Sequence, residues 1–143
     1  MDTFNINIVG YWREIHKSGM PTHSGIFFVY ENRFNEGAGT VTLIRILYVG
    51  EAENVRARIA DHELHDKWTE YVRPGNELCY STGPVPAIAR TRIKAAFIFK
   101  LQPVANSNFK IEFPYPHTTI IATGKTNLIE TNFTVDGMSK SGI

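Results

Sequence analysis

Hydrophobic positions along the chain alternate, run together or recur at helical spacing, and each pattern predicts an element. Phe4, Ile6 and Ile8 alternate with polar neighbours over the first eleven residues, the period of a strand. Gly25 to Tyr30, GIFFVY, is a continuous β-favouring run, and Thr40 to Val49 is a longer one. The ENRFNEGAG stretch between them carries turn and breaker residues, so the two runs predict a hairpin closed by a long loop. Gly50 reads as the stop of the second strand, which puts Glu51 and Glu53 in the first turn of a helix from about residue 53 to 65. Val55 and Ile59 give that helix its apolar face, and Lys67 to Val72 continues as a second helical turn. Pro74-Gly75-Asn76 is a loop, and Glu77 to Ser81 a short third strand broken by Gly83 and Pro84. From Pro86 to Leu101, Ala89, Ile93, Ala96 and Phe97 share one helical face; Pro86 suits the first turn and Pro103 ends the helix. Beyond Asn108 the chain reads as β-rich or irregular, and its last residues, DGMSKSGI, as frayed.

Composition narrows the function classes. A chain of 143 residues with 43% apolar and 20% charged residues is one ordinary globular domain. The formal net charge of +1 carries no global signal for nucleic acid, so a DNA-binding surface has to be a local patch. Cys79 is the sole cysteine, which excludes an intrachain disulfide and a cysteine-built zinc site and fits a reducing, cytoplasmic setting. The N-terminal residues lack a signal-peptide pattern, and no apolar run approaches the roughly 20 residues of a membrane helix. Asn132-Phe133-Thr134 spells a glycosylation acceptor, which means little without a secretion signal.

The stretch from Leu47 to His62, LYVGEAENVRARIADH, concentrates candidate chemistry. On one continuous helix Arg58 and His62, four apart, share a face beside the strand-ending Tyr48. A hydroxyl, a fixed cation and a proton shuttle in one volume suit phosphate chemistry. The alternative is a plain strand–helix unit with Tyr48 half-buried and the other two solvated. Arg90, Arg92, Lys94 and Lys100 make the Pro86–Leu101 helix basic, with no acid between Glu77 and Glu112; this is a phosphate-facing surface or a solvated face balanced elsewhere. Other constellations fail. Gly124-Lys125-Thr126 resembles the end of a phosphate-binding loop, but Thr119 stands where that motif requires glycine. His62-Glu63-Leu64-His65 spaces its histidines three apart, not the four of a zincin; His62, His65 and Asp66 as a metal set competes with a solvated helix end. A G-x-S-x-G nucleophile elbow is lacking.

Taken in order, these residues resemble the GIY-YIG endonuclease family over about residues 24–108. The first half-motif is Gly25-Ile26-Phe27, the second Tyr48-Val49-Gly50. Asn54, Arg58 and His62 follow at the family's spacing, and Lys94 to Asn106, KAAFIFKLQPVAN, is similar to its last helix and closing Pro-x-x-Asn. The resemblance implies an α/β (α+β) domain: a three-stranded antiparallel central sheet flanked by helices, with residues 1–23 and 109–143 as extensions. It implies metal-dependent hydrolysis of DNA with a single Mg2+ or Mn2+. In those terms Tyr48 positions or deprotonates the attacking water, Arg58 stabilises the pentavalent phosphate, His62 relays a proton or orients the tyrosine, and Asn106 buttresses the site. Arg90, Arg92 and Lys100 would contact the nucleic acid. A restriction-like nuclease would address two strands as a homodimer, by analogy.

Two positions depart from that pattern. Phe27 stands where the family has its first tyrosine. Lys94, at the ninth position before Pro103, stands where the family has its metal-binding glutamate. A protonated lysine offers no lone pair and repels a divalent cation. The expectation is an endonuclease domain that holds no catalytic magnesium at the usual site. Its rival is a non-catalytic nucleic-acid-binding module on the same scaffold; a third option is an interaction domain that binds no nucleic acid. Glu51, Glu53 and Glu77 are the candidates for a displaced metal ligand.

Overall fold

The computed structural model describes residues 2–137. Strand β1 (Asp2–Arg13) leads through a 3-10 helix (Glu14–Gly19) to β2 (Gly25–Asn35) and β3 (Thr40–Ala52). Two short helices follow, α1 (Val55–Ala60) and α2 (His65–Glu70), then β4 (Glu77–Pro84) and the long helix α3 (Ala87–Leu101). Strands β5 (Thr118–Gly124) and β6 (Asn132–Val135) close the chain. Mixed α and β elements were expected; a three-stranded sheet was not enough. The sheet has six strands in the order β3-β2-β4-β1-β5-β6. Its first three strands pair antiparallel. The two flanking segments join it: β1 pairs with β4 through Val9 to Arg13 and in parallel with β5 through Asp2 to Ile8. Among the described residues no helix is long and apolar enough to cross a membrane.

Several boundaries differ from the sequence expectation, each for a physical reason. The long loop after Tyr30 is mostly strand, because its polar residues are satisfied inside the fold. Glu31 is fully buried and accepts hydrogen bonds from Arg45 (3.0 Å), the Arg73 backbone N–H (3.0 Å) and Asn76 (2.7 Å). Asn32 donates to the Glu77 carbonyl at 3.0 Å. Gly50 does not stop β3, which continues to Ala52. Its missing Cβ is where the Phe27 ring of the neighbouring strand packs. Gly83 and Pro84 likewise lie within β4, and Ile6 fills the space a Gly83 side chain would need. Glu51 belongs to β3, and α1 begins after Asn54, whose Oδ1 accepts the Ala57 N–H at 3.1 Å as an N-cap. Where one helix was expected over 53–65, the chain breaks at Asp61, whose extended φ of −144° ends α1. Of the terminal DGMSKSGI stretch, residues 138–143 lie outside the described residues.

Two cores sit on opposite faces of the sheet. One holds Ile26, Phe28, Tyr30 and Val49 against Ile93, Ala96 and Phe97 of α3; Phe28 and Phe97 meet edge to face at 5.1 Å. Ala89, Ile93, Ala96 and Phe97, the face seen in the sequence, are all buried. The other core holds Phe27, Val29 and Leu47 against Val55, Ile59 and Trp68 of α1 and α2. Strand β3 is the edge at which these two layers meet.

Candidate functional site

A β-bulge sets the direction of Tyr48. Val29 pairs with Tyr48 and Tyr30 with Ile46, which leaves Leu47 as the extra residue. Leu47 and Tyr48 therefore both turn toward the α1–α2 layer. There Tyr48 packs on Phe27 (ring centroids 6.1 Å), His62 (5.5 Å) and Trp68 (5.2 Å). His62 and Trp68 are closest, at 4.4 Å. Phe27 and Trp68 are fully buried, and His62 is nearly so. Trp68 had no place in the sequence reading; a tryptophan in a polar helical stretch is the one signal that pointed inward.

The break between the two helices gives His62 its place. His62 lies past the end of α1, so it does not share a helical face with Arg58 as expected. Its Nδ1 accepts the Leu64 backbone N–H at 3.0 Å, which puts the ring proton on Nε2. Burial, reinforced by the nearby Arg58 charge, pushes its pKa down to about 4, so the ring is neutral near pH 7. Burial also raises the Tyr48 pKa, with Arg58 opposing, so the phenol keeps its proton. Arg58 donates two hydrogen bonds to Glu63, at 2.6 and 2.8 Å. That fork holds the Glu63 carboxyl down at about 2. In the sequence Glu63 is marked only by the zincin-like spacing around it, which gives no sign that it partners Arg58.

Asn106 ties the edge strand. Its Oδ1 accepts the Val49 N–H at 2.9 Å, and its Nδ2 donates to the Val49 carbonyl at 3.0 Å. The Ala105 N–H donates to the Leu47 carbonyl at 2.8 Å. One side chain and one peptide thus stand in for a neighbouring strand over Leu47 to Val49.

Lys94 comes from the helix on the opposite face of the sheet from Tyr48. It reaches the edge because Glu51, paired across from Ile26, points to that face. Lys94 Nζ lies 2.9 Å from Glu51 Oε2, Thr91 Oγ1 donates to the same oxygen at 2.9 Å, and Arg90 Nε lies 3.4 Å from Oε1. Burial alone would raise the Glu51 pKa; the bonds from Lys94 and Thr91 outweigh it and hold the carboxyl below its ordinary value. Arg90 also donates to Ser24 at 2.9 Å.

The basic residues of α3 do not form one face. Arg92 donates to Thr118 (2.8 Å) and Asp2 (2.7 Å) and pins α3 to β5, away from Glu51. Lys100 is exposed on the last turn. Two hollows lie along β3. A pocket of about 200 Å³ brings together Tyr48, Lys94, Asn106, Ser107, Asn108 and Phe109, with no carboxylate in its lining. A wider cleft of about 570 Å³ joins Arg58 and Arg90 with Glu51, Glu53, Asn54 and Asp61.

The side chains present do not fit the magnesium ion that the resemblance implies. The position of its glutamate holds an ammonium group, and Glu51, the nearest carboxylate, is already engaged by three donors, two of them cations. Glu53 is exposed, and Glu77 pairs with Arg13 at 2.6 Å. Of the other metal set considered, His62 Nδ1 is engaged, while His65 Nε2 lies 3.0 Å from Glu14. Among the described residues no three His, Cys, Asp or Glu side chains gather as a metal-ligating group. No protein-family model, curated protein or solved structure matches the chain.

Proposed function

We propose that the chain is a GIY-YIG-type endonuclease scaffold that works, as written, as a non-catalytic DNA-binding module. The observation that carries this reading is the small pocket at the edge of β3, where Tyr48, Lys94 and Asn106 line one polar hollow without a carboxylate. Its volume of about 200 Å³ suits a phosphate group with its water. A lysine is a point-charge ligand for phosphate, which here would share the Lys94 ammonium with Glu51 at 2.9 Å, and a phenol and amides supply hydrogen bonds around it. Arg58, in the adjoining cleft, offers a second cation once an incoming phosphate displaces the exposed Glu63. The wider cleft counts three carboxylates, Glu51, Glu53 and Asp61, against Arg58 and Arg90, so affinity is modest.

The endonuclease reading rests on the same residues: Tyr48, Arg58, His62 and Asn106 are all retained around β3. Catalysis would need Mg2+ or Mn2+, and the Lys94–Glu51 pair argues against that route. Two measurements separate the readings. Fluorescence anisotropy with a short duplex should give binding that weakens steeply with salt, as counterion release requires, and that Lys94→Ala and Arg58→Ala each reduce several-fold. Supercoiled plasmid with magnesium or manganese should stay uncut. Metal-dependent nicking would restore the endonuclease; binding that is absent at low salt would leave an interaction domain.

A further inference from the structure

A third hollow lies at the opposite end of the β2–β3 hairpin from the candidate site. It has a volume of about 490 Å³, and its chemistry comes from Tyr11, Arg13, His16, Phe34, Lys125 and Asn127. The Arg13 guanidinium lies 3.6 Å from the centre of the Phe34 ring. Its Nε and Nη2 are held by Glu77 at 2.6 and 3.3 Å, while Nη1 has no hydrogen-bond partner among the described residues. Lys125 is exposed, and its ammonium group has no ion-pair partner among the described residues. The chain reaches Lys125 through Gly124, whose φ of 88° is left-handed and whose missing Cβ lets the Ile8 carbonyl approach. The Lys125 N–H then donates to that carbonyl at 2.8 Å, which fixes the lysine beside the end of β1. The Asn127 N–H donates to the Tyr11 hydroxyl at 3.3 Å. No Asp or Glu lines the hollow; Glu36 and Glu77 lie across the Arg13–Phe34 wall in a neighbouring depression.

We propose that this hollow binds a nucleotide phosphate monoester, its phosphate between Arg13 and Lys125 and its base against the aromatic wall of Tyr11 and Phe34. The size is that of a small-ligand pocket. An arginine with a free edge and a lysine held nearby form a two-cation cradle. Phe34, one face of which carries the Arg13 guanidinium, and Tyr11 both line the hollow and supply its apolar surface, and the Asn127 amide offers a donor and an acceptor to a base edge. A bare anion would leave the rings unused, and an uncharged base would leave both cations unused. The proposal does not rest on the reading of the β3 edge.

Isothermal titration of the full chain at low salt tests it, with deoxyadenosine 5′-monophosphate, deoxyadenosine and inorganic phosphate as probes. The monophosphate should bind at least tenfold more tightly than either other probe. Lys125→Glu, at an exposed position, should weaken it at least tenfold. A short single strand with a 5′-phosphate, compared with its 5′-hydroxyl form, distinguishes a strand end from a free nucleotide. If the phosphorylated strand binds more tightly than its hydroxyl form, and Lys125→Glu removes that difference, the occupant is a strand end. Binding indifferent to Lys125→Glu, equal binding of phosphate and monophosphate, or no binding of either monophosphate or phosphorylated strand would each overturn the proposal.

Discussion

Strand β3 has two sides built from different physics. Toward α1 and α2, Phe27, Tyr48, His62 and Trp68 stack with ring centroids between 4.4 and 6.1 Å, and the only titratable groups among them are held neutral. Toward α3, Glu51 is ringed by Lys94, Thr91 and Arg90, every group charged or hydroxylic, with side chains about one-fifth exposed at Lys94 and Glu51. The first side is packing with polar atoms attached; the second is charge with water nearby. In a hydrolytic site the two would act on one phosphate. Here the aromatic side is intact as a scaffold and the ionic side is self-neutralised. The stability of the domain should therefore depend on the first, and its ligand chemistry on the second.

The largest effect should come from emptying the aromatic side. Phe27→Ala removes a fully buried ring and should cost about 3–5 kcal/mol, read by urea or thermal unfolding. Gly50→Ala acts in the opposite sense, pushing a methyl group into that ring, and should cost about 1–3 kcal/mol. Combined with Phe27→Leu, whose shorter side chain vacates the space, Gly50→Ala should cost less than the two changes summed. Additive losses would mean that the glycine is needed for something other than the ring.

Much of this arrangement was legible before any coordinates. Ala89, Ile93, Ala96 and Phe97 marked the buried face of α3, and GIFFVY and TVTLIRILYV marked the hairpin, because helical and strand periods are local properties. What escaped depends on distant partners. Glu31 and Asn32 read as loop residues because Arg45, Arg73, Asn76 and Glu77, which satisfy them, lie in other elements. The sheet's full width escaped because β1 and β5 pair in parallel across more than a hundred residues. At the site, Tyr48 stands out in the sequence as a strand-ending tyrosine and Asn106 through the resemblance alone; the edge tie to Val49 and the bulge at Leu47 have no sequence mark. The Lys94–Glu51 and Arg58–Glu63 pairs were not foreseen. Glu51 had been placed in a helix, and the helix break that brings Glu63 to Arg58 has no strong sequence mark.

The pH dependence sharpens the contrast next. His62 titrates near 6.5 when unfolded and at about 4 in the fold. Its folded pKa is depressed and its neutral form is the one buried, so the unfolded chain takes up the proton first as pH falls. Stability is fully present above about 6.5, declines through the window down to about 4, and falls no further on account of this group. The shift corresponds to at most ~3 kcal/mol. Stability measured between pH 7 and 4 should fall more steeply for the wild type than for His62→Phe, which removes the titration. Parallel pH profiles would show that His62 is protonated in place, and that this side of β3 is wetter than its packing implies.

The smallest effect on stability, and the most telling for function, belongs to the ionic side. Lys94→Glu replaces the ammonium 2.9 Å from Glu51 with a second carboxylate. Glu51 keeps Arg90 and Thr91 as partners, so the cost without metal should be only about 1–2 kcal/mol, the scale of a partly exposed ion pair turned repulsive. The same change creates two carboxylates side by side, the oxygen-rich setting that Mg2+ prefers and that the natural pair lacks. A cation binding the folded form alone stabilises it by mass action, so magnesium should raise the melting temperature of Lys94→Glu and leave the wild type unmoved. The chelator EDTA should abolish that rise. Nicking of plasmid DNA is a separate readout: on the proposed reading it should appear only in Lys94→Glu, and more strongly when Phe27→Tyr adds a hydroxyl where the resemblance implies one. That second change must place a phenol in a fully buried position, so its own stability has to be measured first. A magnesium-dependent rise of equal size in the wild type would mean that Glu51 binds the ion while still paired to Lys94. The two sides of β3 would then be working together after all.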